Sequence, residues 1–276
     1  MPDGRSDPSP PWSLADIPWD AIERHTVRDD TLLLYLIASA SFIEITSDLY
    51  TRNLCEFFKS DSIIVDWLTH RWEPEELQHG AALKTYVRCA WPEFDWDAAY
   101  RGFVAEYSHY CSVEQLAPTR ALEMVARCVV ETGTASFYRM LTNVAAEPVL
   151  SLIASYIARD ELRHYKYFYR FFRRIIAREN LGRVAVFRTL WNRALEVDGE
   201  DAYIAFKYAY LTHNPGAGIE RENYAAFRAA VRQLGKDHFP FDMAMKMFIG
   251  PLGLGQATRR MVLPPAIAAT RLMLAR

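Results

Sequence analysis

Along the chain, long stretches of closely spaced apolar residues are broken by short segments containing Pro, Gly and Asp, and the stretches read as helices. An all-α fold is therefore expected. Asp29 and Asp30 are placed to cap a first helix running to about Ser60, apolar nearly all round and hence central. Ser60 to Ser62 offer the next cap, and the helix that follows carries Trp67, Glu76 and His79 before stopping near Trp91 and Pro92. Pro74 lies inside it. Proline removes a backbone hydrogen bond and crowds the preceding turn, which predicts a kink or restart just ahead of Glu76. Asp95 to about Cys111 makes a further helix with no candidate ligand at its centre, suited to a crossover. Two more helices follow across a short link, one from Pro118 to about Val144 and one starting at Pro148.

Beyond Leu181 and Gly182, helices at about 184–197 and 201–213 lead to the break at Asn214, Pro215 and Gly216. The stretch with Met243, Met245 and Met247 then reads as an amphipathic cover or homodimer surface. The expected organisation is a flexible arm over residues 1–20, a helix bundle over 21–180 and a helical extension packed on it over 181–276.

Composition narrows the function classes. With 276 residues, 51% of them hydrophobic, the chain can bury a large core, and a formal net charge of -2 gives no general attraction to nucleic acid. Four cysteines at 55, 89, 111 and 128 show no C-x-x-C spacing, so free thiols in a reducing compartment are expected. The first residues lack the basic start and apolar run of a signal peptide. The most apolar stretch, Leu32 to Ile43, is too short for a membrane span and ends at Glu44. A soluble, cytoplasmic protein is the expectation.

The chemistry lies in a repeated pattern. Glu76-x-x-His79 and Glu161-x-x-His164 each follow a helix bearing a lone carboxylate, Glu44 and Glu131. At 3.6 residues per turn, a Glu and a His three apart project from the same helix face. Two such pairs and two lone Glu residues, pointed into a four-helix bundle, make a site for two metal ions. Carboxylate with imidazole suits iron or manganese rather than the thiolate metals. Glu44 sits in an apolar run with no base nearby, and Glu131 has only Arg127 one turn back, so bare burial would cost several kcal/mol, on the order of the known penalty, unless a cation pairs with each. The plainer alternative is a set of satisfied core polar groups. Glu75 and Asp160 directly precede the pairing acids, and each is placed to hold the histidine of the opposite half. Thr134 shares the face of Glu131, where its hydroxyl serves either the metal site or its own helix backbone. Tyr50, Tyr138 and Tyr165 fall near the ligand faces by spacing, and Phe42, Trp67, Phe137 and Met140 are candidates for an apolar pocket or plain core. The basic and aromatic run Tyr165 to Arg174 is either a docking strip for an acidic carrier or a solvated face.

Four segments carry a resemblance: Glu44 with Tyr50, Glu76-Leu77-Gln78-His79-Gly80, Glu131-Thr132-Gly133-Thr134 and Asp160-Glu161-Leu162-Arg163-His164. Over about residues 30 to 180 the chain resembles the soluble acyl-acyl-carrier-protein (acyl-ACP) desaturases of the ferritin-like superfamily. It departs from them at Ile45, Asp48 and Gln78, where a second Glu, a Pro and an Arg are usual. The resemblance implies a ferritin-like four-helix bundle with additional C-terminal helices and a two-iron centre, with manganese as an alternative metal. It also implies oxygen-dependent attack on an unactivated C–H bond of an acyl-carrier thioester, by desaturation or hydroxylation. Electrons would come from a separate ferredoxin or flavin reductase, since no such module is visible in the chain. Oxidation of another small molecule such as an amine, a non-catalytic metal-binding bundle and a radical-generating subunit are the competing expectations.

Overall fold

The computed structural model describes residues 11–195 and 199–274, and every regular element among them is helical. One turn, α1 (Arg24–Val27), leads into α2 (Thr31–Ile45), whose first turn is closed by the Asp30 carboxylate accepting the Leu33 amide at 2.9 Å. The helix expected to continue to about Ser60 divides at Thr46. Its hydroxyl turns back on the Phe42 and Ile43 carbonyls, both at 2.9 Å, and this competes with the helical ladder. Consequently α3 (Ser47–Phe57) restarts just beyond Glu44. By length and composition alone the stretch Thr31–Phe57 is enough to cross a membrane, but 61% of its most apolar window is buried inside the protein.

Asp61 caps α4 (Ser62–Trp67), and a π-helical turn over Leu68–Trp72 joins it to α5 (Glu73–Ala90). The predicted disturbance at Pro74 takes this form. The wide turn lies immediately ahead of the proline, which sits in the first turn of α5, where its missing N–H does least harm. Asp95 caps α6 (Trp96–Tyr107). The two longest helices, α7 (Arg120–Val144) and α8 (Pro148–Glu179), pack along one another as a hairpin across residues 145–147. Fully buried Glu147 opens α8 by accepting the Val149 and Leu150 amides at 3.2 and 2.8 Å, and Asn180, at φ 50°, ends it.

The later helices close round this frame. α9 (Arg183–Leu195) lies on α7, α10 (Glu200–His213) on α2 and α6, α11 (Arg221–Gly235) against α2 and α7, α12 (Phe241–Phe248) on α7, and α13 (Gln256–Leu274) on α12. Residues 196 and 197, the expected end of the first of these, lie outside the described residues.

The flexible arm needs correction over its second half. From Pro11 onward the chain forms two short 3₁₀ turns, Leu14–Asp16 and Trp19–Ala21, and Trp12 and Ile17 are buried against the bundle. Pro, Ser and Asp dominate this stretch, but three large apolar side chains, Trp12, Ile17 and Trp19, give it enough surface to dock. Residues 1–10 of the expected arm lie outside the described residues.

Two apolar clusters fill the interior. One joins α2, α5, α6 and the first half of α8 around Phe42, Trp96 and Phe103; the other joins α3, α4, the start of α7 and the second half of α8 around Leu54, Trp67, Phe168 and Phe172. Phe42 and Trp67 therefore belong to different clusters, each packed as plain core. In the middle of α7, Gly133 stands where a Cβ would meet nothing within 4 Å. Gly133→Ala should stabilise the protein by about 0.5–1 kcal/mol, because alanine gives the unfolded chain less freedom to lose. The check is a higher urea midpoint with an unchanged slope; a lower midpoint would contradict the open space seen there.

Candidate metal centre

Follow each of α2, α5, α7 and α8 along its length, and one apolar cluster gives way to the other at the same level. On α2 and α3 the change falls between Phe42 and Leu54, on α5 and the π turn before it between Ala82 and Trp72, on α7 between Val129 and Tyr138, and on α8 between Ala158 and Phe168. The predicted ligands Glu44, Glu76, His79, Glu131, Glu161 and His164 occupy these gaps, all of them buried. The structure brings them together in two overlapping groups, Glu44, Glu76, His79 and Glu161 in one, and Glu76, Glu131, Glu161 and His164 in the other. Within each group one donor atom per residue lies within 4.8 Å of the rest. Glu76 and Glu161 are common to both. Glu44 with His79 closes one end, and Glu131 with His164 the other.

The orientation of the rings agrees with this. His79 Nδ1 faces Glu161 Oε1 at 3.2 Å and Glu44 Oε2 at 3.8 Å, and His164 Nδ1 faces Glu76 Oε1 at 2.9 Å and Glu131 Oε2 at 3.6 Å. Both Nε2 atoms point outward, each to the acid of the opposite half: His79 to Asp160 Oδ2 at 3.2 Å, His164 to Glu75 Oε2 at 2.8 Å. Arg163 Nη2 joins these acids, 2.9 Å from both Glu75 Oε2 and Asp160 Oδ1. An outward hydrogen bond to a carboxylate fixes an imidazole's tautomer and plane, leaving Nδ1 free for a metal.

A further layer holds the carboxylates. Tyr138 donates its hydroxyl to Glu44 Oε1 at 2.5 Å, Trp72 donates Nε1–H to Glu131 Oε1 at 3.3 Å, and Thr134 donates to Glu161 Oε2 at 2.5 Å. The Thr134 hydroxyl is also 3.2 Å from the Val130 carbonyl, so both roles expected for it are within reach and the carboxylate is the nearer acceptor. From the docked N-terminal segment, Trp12 donates Nε1–H to Asp160 Oδ2 at 2.6 Å and lies parallel to the His79 ring, with centroids 6.1 Å apart. Gln78 donates to the Trp12 carbonyl at 3.0 Å and so helps to hold that segment.

Other expectations are placed elsewhere. Arg127 pairs with Glu123 at 2.9 Å rather than with Glu131. Tyr50 contacts the Tyr107 hydroxyl and the Arg127 guanidinium, and Tyr165 donates to the Met247 carbonyl at 2.5 Å; neither bonds to a ligand. In the basic strip, Arg174 is bound to Asp61 at 2.7 Å, whereas Lys166, Arg170 and Arg173 are exposed. Trp12 was not indicated by any spacing, since it reaches the site from a distant part of the chain, whereas Trp72, one turn before Glu76, had an unread signal in its i, i+4 spacing. Arg163 had a signal: three residues after Asp160, it shares that acid's helix face.

The donor set fits a cation. Among buried side-chain atoms, Glu76 Oε1, His79 Nδ1, Glu131 Oε2, Glu161 Oε1 and His164 Nδ1 face only one another and have no hydrogen-bond partner outside the group. Buried polar atoms are nearly always paired, so five such atoms gathered in one place with no outside partner mark where an ion would sit. Without metal, protons do part of that work. Burial, together with repulsion from Glu161, pushes Glu131 up to about 8, and burial with Glu161 and Glu44 raises Glu76 well above the usual carboxylate range. Burial alone would lower the two imidazoles, but the surrounding carboxylates raise both well above the ordinary histidine value. Burial would likewise raise Asp160, yet the hydrogen bond and charge of His79, with Arg163 and Trp12, bring it down to about 2.

The signs fix a pH dependence. Glu131, Glu76 and both histidines titrate above their unfolded values, so in metal-free protein their contribution to stability is complete at low pH and is lost as pH rises, for Glu131 through about 8. Metal binding must expel the same protons, so affinity rises with pH over this window. The metal-induced gain in melting temperature should therefore grow steadily between about pH 5 and pH 8. Calorimetry in buffers of different ionisation enthalpy should detect protons released on loading, and a gain independent of pH would contradict this proton inventory.

No protein-family model matches this chain, and no curated protein matches it.

Proposed function

We propose that the protein is an oxygen-dependent oxidoreductase with a two-iron centre, manganese being the alternative metal, in a ferritin-like four-helix bundle formed by α2, α5, α7 and α8, with α6 as the crossover. Its substrate would be an acyl chain carried as a thioester on a carrier protein, desaturated or hydroxylated at an unactivated C–H bond. The observation that carries this reading is the pair of overlapping Glu and His groups with shared Glu76 and Glu161. The four motif segments that resemble soluble acyl-ACP desaturases support the choice of substrate.

In this reading Glu44 and His79 hold one ion, Glu131 and His164 the other, and Glu76 and Glu161 serve both. When bound, a reduced iron pair supplies electrons for the activation of dioxygen, replenished by an external ferredoxin or flavin reductase. The chain's own residues do the rest. Asp160 and Glu75 keep Nε2 of each imidazole occupied, so that Nδ1 alone can bind. Tyr138 and Trp72 each occupy one oxygen of a terminal carboxylate, leaving Glu44 Oε2 and Glu131 Oε2 toward the interior. Thr134, half-buried where Glu161 is buried, is the hydroxyl placed to hold or pass a proton at Glu161 Oε2 between the centre and solvent. The open space over Gly133, beside Thr134, is the side from which a chain can approach.

The test is to load the protein with ferrous iron under argon, then admit oxygen with acyl-carrier thioesters and, separately, free fatty acids and amines, reading products by mass spectrometry. Loss of two hydrogens or gain of an oxygen atom on the thioester is expected. Turnover of an amine instead would replace the substrate, and iron oxidation with every candidate unchanged would make the protein an iron-handling bundle.

A further inference from the structure

We propose that the outer face of α9, with neighbouring α13, docks the protein on an anionic membrane surface. Val184, Phe187, Trp191 and Leu195 follow one another at three- and four-residue steps and form a single line along α9. Val184 is 82% and Leu195 67% exposed; the two rings are half exposed and stacked on each other at 6.4 Å. Val186 and Leu190, on the opposite side of the helix, are buried and attach it to the body. Arg183 and Arg188, both exposed, flank the line. α13 repeats the composition, with Met261 76% and Leu272 67% exposed.

Charge selects the occupant. Residues 180–195 and 243–276 together hold eight of the chain's 32 Lys and Arg and none of its 34 Asp and Glu. The two segments meet in space, since Arg183 donates to the Gly253 carbonyl at 3.4 Å just ahead of α13. Isolated exposed apolar side chains are ordinary, but a continuous line with Trp and Phe bordered by Arg is the pattern of a helix lying in a membrane interface. A two-fold contact through α9 with a second copy would set Arg183 and Arg188 against themselves with no acid in α9 to offset them. Phospholipid headgroups supply the missing anions, and the boundary layer suits the amphipathic ring of Trp191. Docking of this kind does not depend on the metal centre.

The experiment is co-sedimentation of the full chain with phosphatidylcholine vesicles, with and without phosphatidylglycerol, at low and high salt. Binding is expected to the anionic vesicles alone and to weaken with salt. The double variants Phe187→Ser/Trp191→Ser and Arg183→Glu/Arg188→Glu should each lower partitioning by about tenfold or more while keeping the helical circular dichroism and metal content of the parent. Absence of binding, equal binding to neutral vesicles, or binding that survives both double variants would overturn the proposal. So would a parent dimer that Phe187→Ser/Trp191→Ser converts to monomer without any vesicle binding, since a second copy would then cover the face.

Discussion

Glu161→Gln should strip the protein of both ions, whereas Glu131→Gln should leave one. The distinction follows from the overlap of the two ligand groups. Glu161 contributes to both, so exchanging its carboxylate for an amide of the same shape weakens each site at once, while Glu131 belongs only to the group closed by His164. Glu44→Gln should mirror Glu131→Gln, retaining the ion at the His164 end. Losing an outer hydrogen-bond partner of a ligand lowers metal affinity by about 10–100-fold, and losing a shared ligand should exceed that. Competition with a chelator followed by metal analysis gives the answer. Equal losses for Glu131→Gln and Glu161→Gln would mean that the groups do not act as two sites. Retention of helical circular dichroism separates a ligand effect from unfolding, and the amide's size makes a cavity an inadequate explanation.

Gly80→Ala should damage both stability and metal binding although no ligand is changed. A Cβ on residue 80 would lie 2.5 Å from the Ile45 nitrogen and 2.7 Å from its Cα, closer than real Cβ atoms approach other atoms. Backbone cannot yield as a flexible side chain does, so α5 and α2 must separate. The residues on either side of that contact are His79 and Glu44, and the separation is transmitted to one end of the metal site. Overpacking of this kind costs about 1–3 kcal/mol, which for a chain of this size appears as a fall of several degrees in melting temperature, roughly 2–4 °C per kcal/mol. The ion closed by Glu44 and His79 should be lost first. Gly133→Ala, the same exchange in another ligand-bearing helix, should act in the opposite direction. A neutral Gly80→Ala would contradict the close approach of these helices.

The two glycines show what kinds of information a sequence carries. Both stand beside a ligand motif, and nothing in the motif separates them; one is a steric requirement and the other an unfilled space, a difference that exists only once the neighbouring helix is in place. That Glu76 with His79 and Glu161 with His164 share a helix face was legible because Glu-x-x-His is a local geometric statement, fixed by the helical repeat wherever the helix lies. The crossed bonds from His79 to Asp160 and from His164 to Glu75 were also legible, since the two halves of the chain repeat each other. Trp12 was not. Its segment is Pro- and Ser-rich and reads as an arm, yet it is anchored by one indole hydrogen bond and a face-to-face contact with a ring 67 residues away in sequence. The division of the first helix at Thr46 was hidden for a similar reason, whereas a disturbance at Pro74 was expected and only its form, a π turn, was not. Each is a small adjustment of backbone phase, within a few residues of Glu44 or Glu76. The basic stretches at 180–195 and 243–276 are plain in the sequence, but their exposure is known only from the packing of α9 and α13.

Anaerobic titration with ferrous iron, followed by X-ray absorption on the loaded protein, tests the metal centre most directly. Binding should saturate at two ions per chain, with oxygen and nitrogen neighbours and a metal–metal distance of about 3.5–4 Å, the spacing of centres that share carboxylates. Saturation at one ion or none, or two ions without a metal–metal signal, would show that Glu76 and Glu161 do not join two metals.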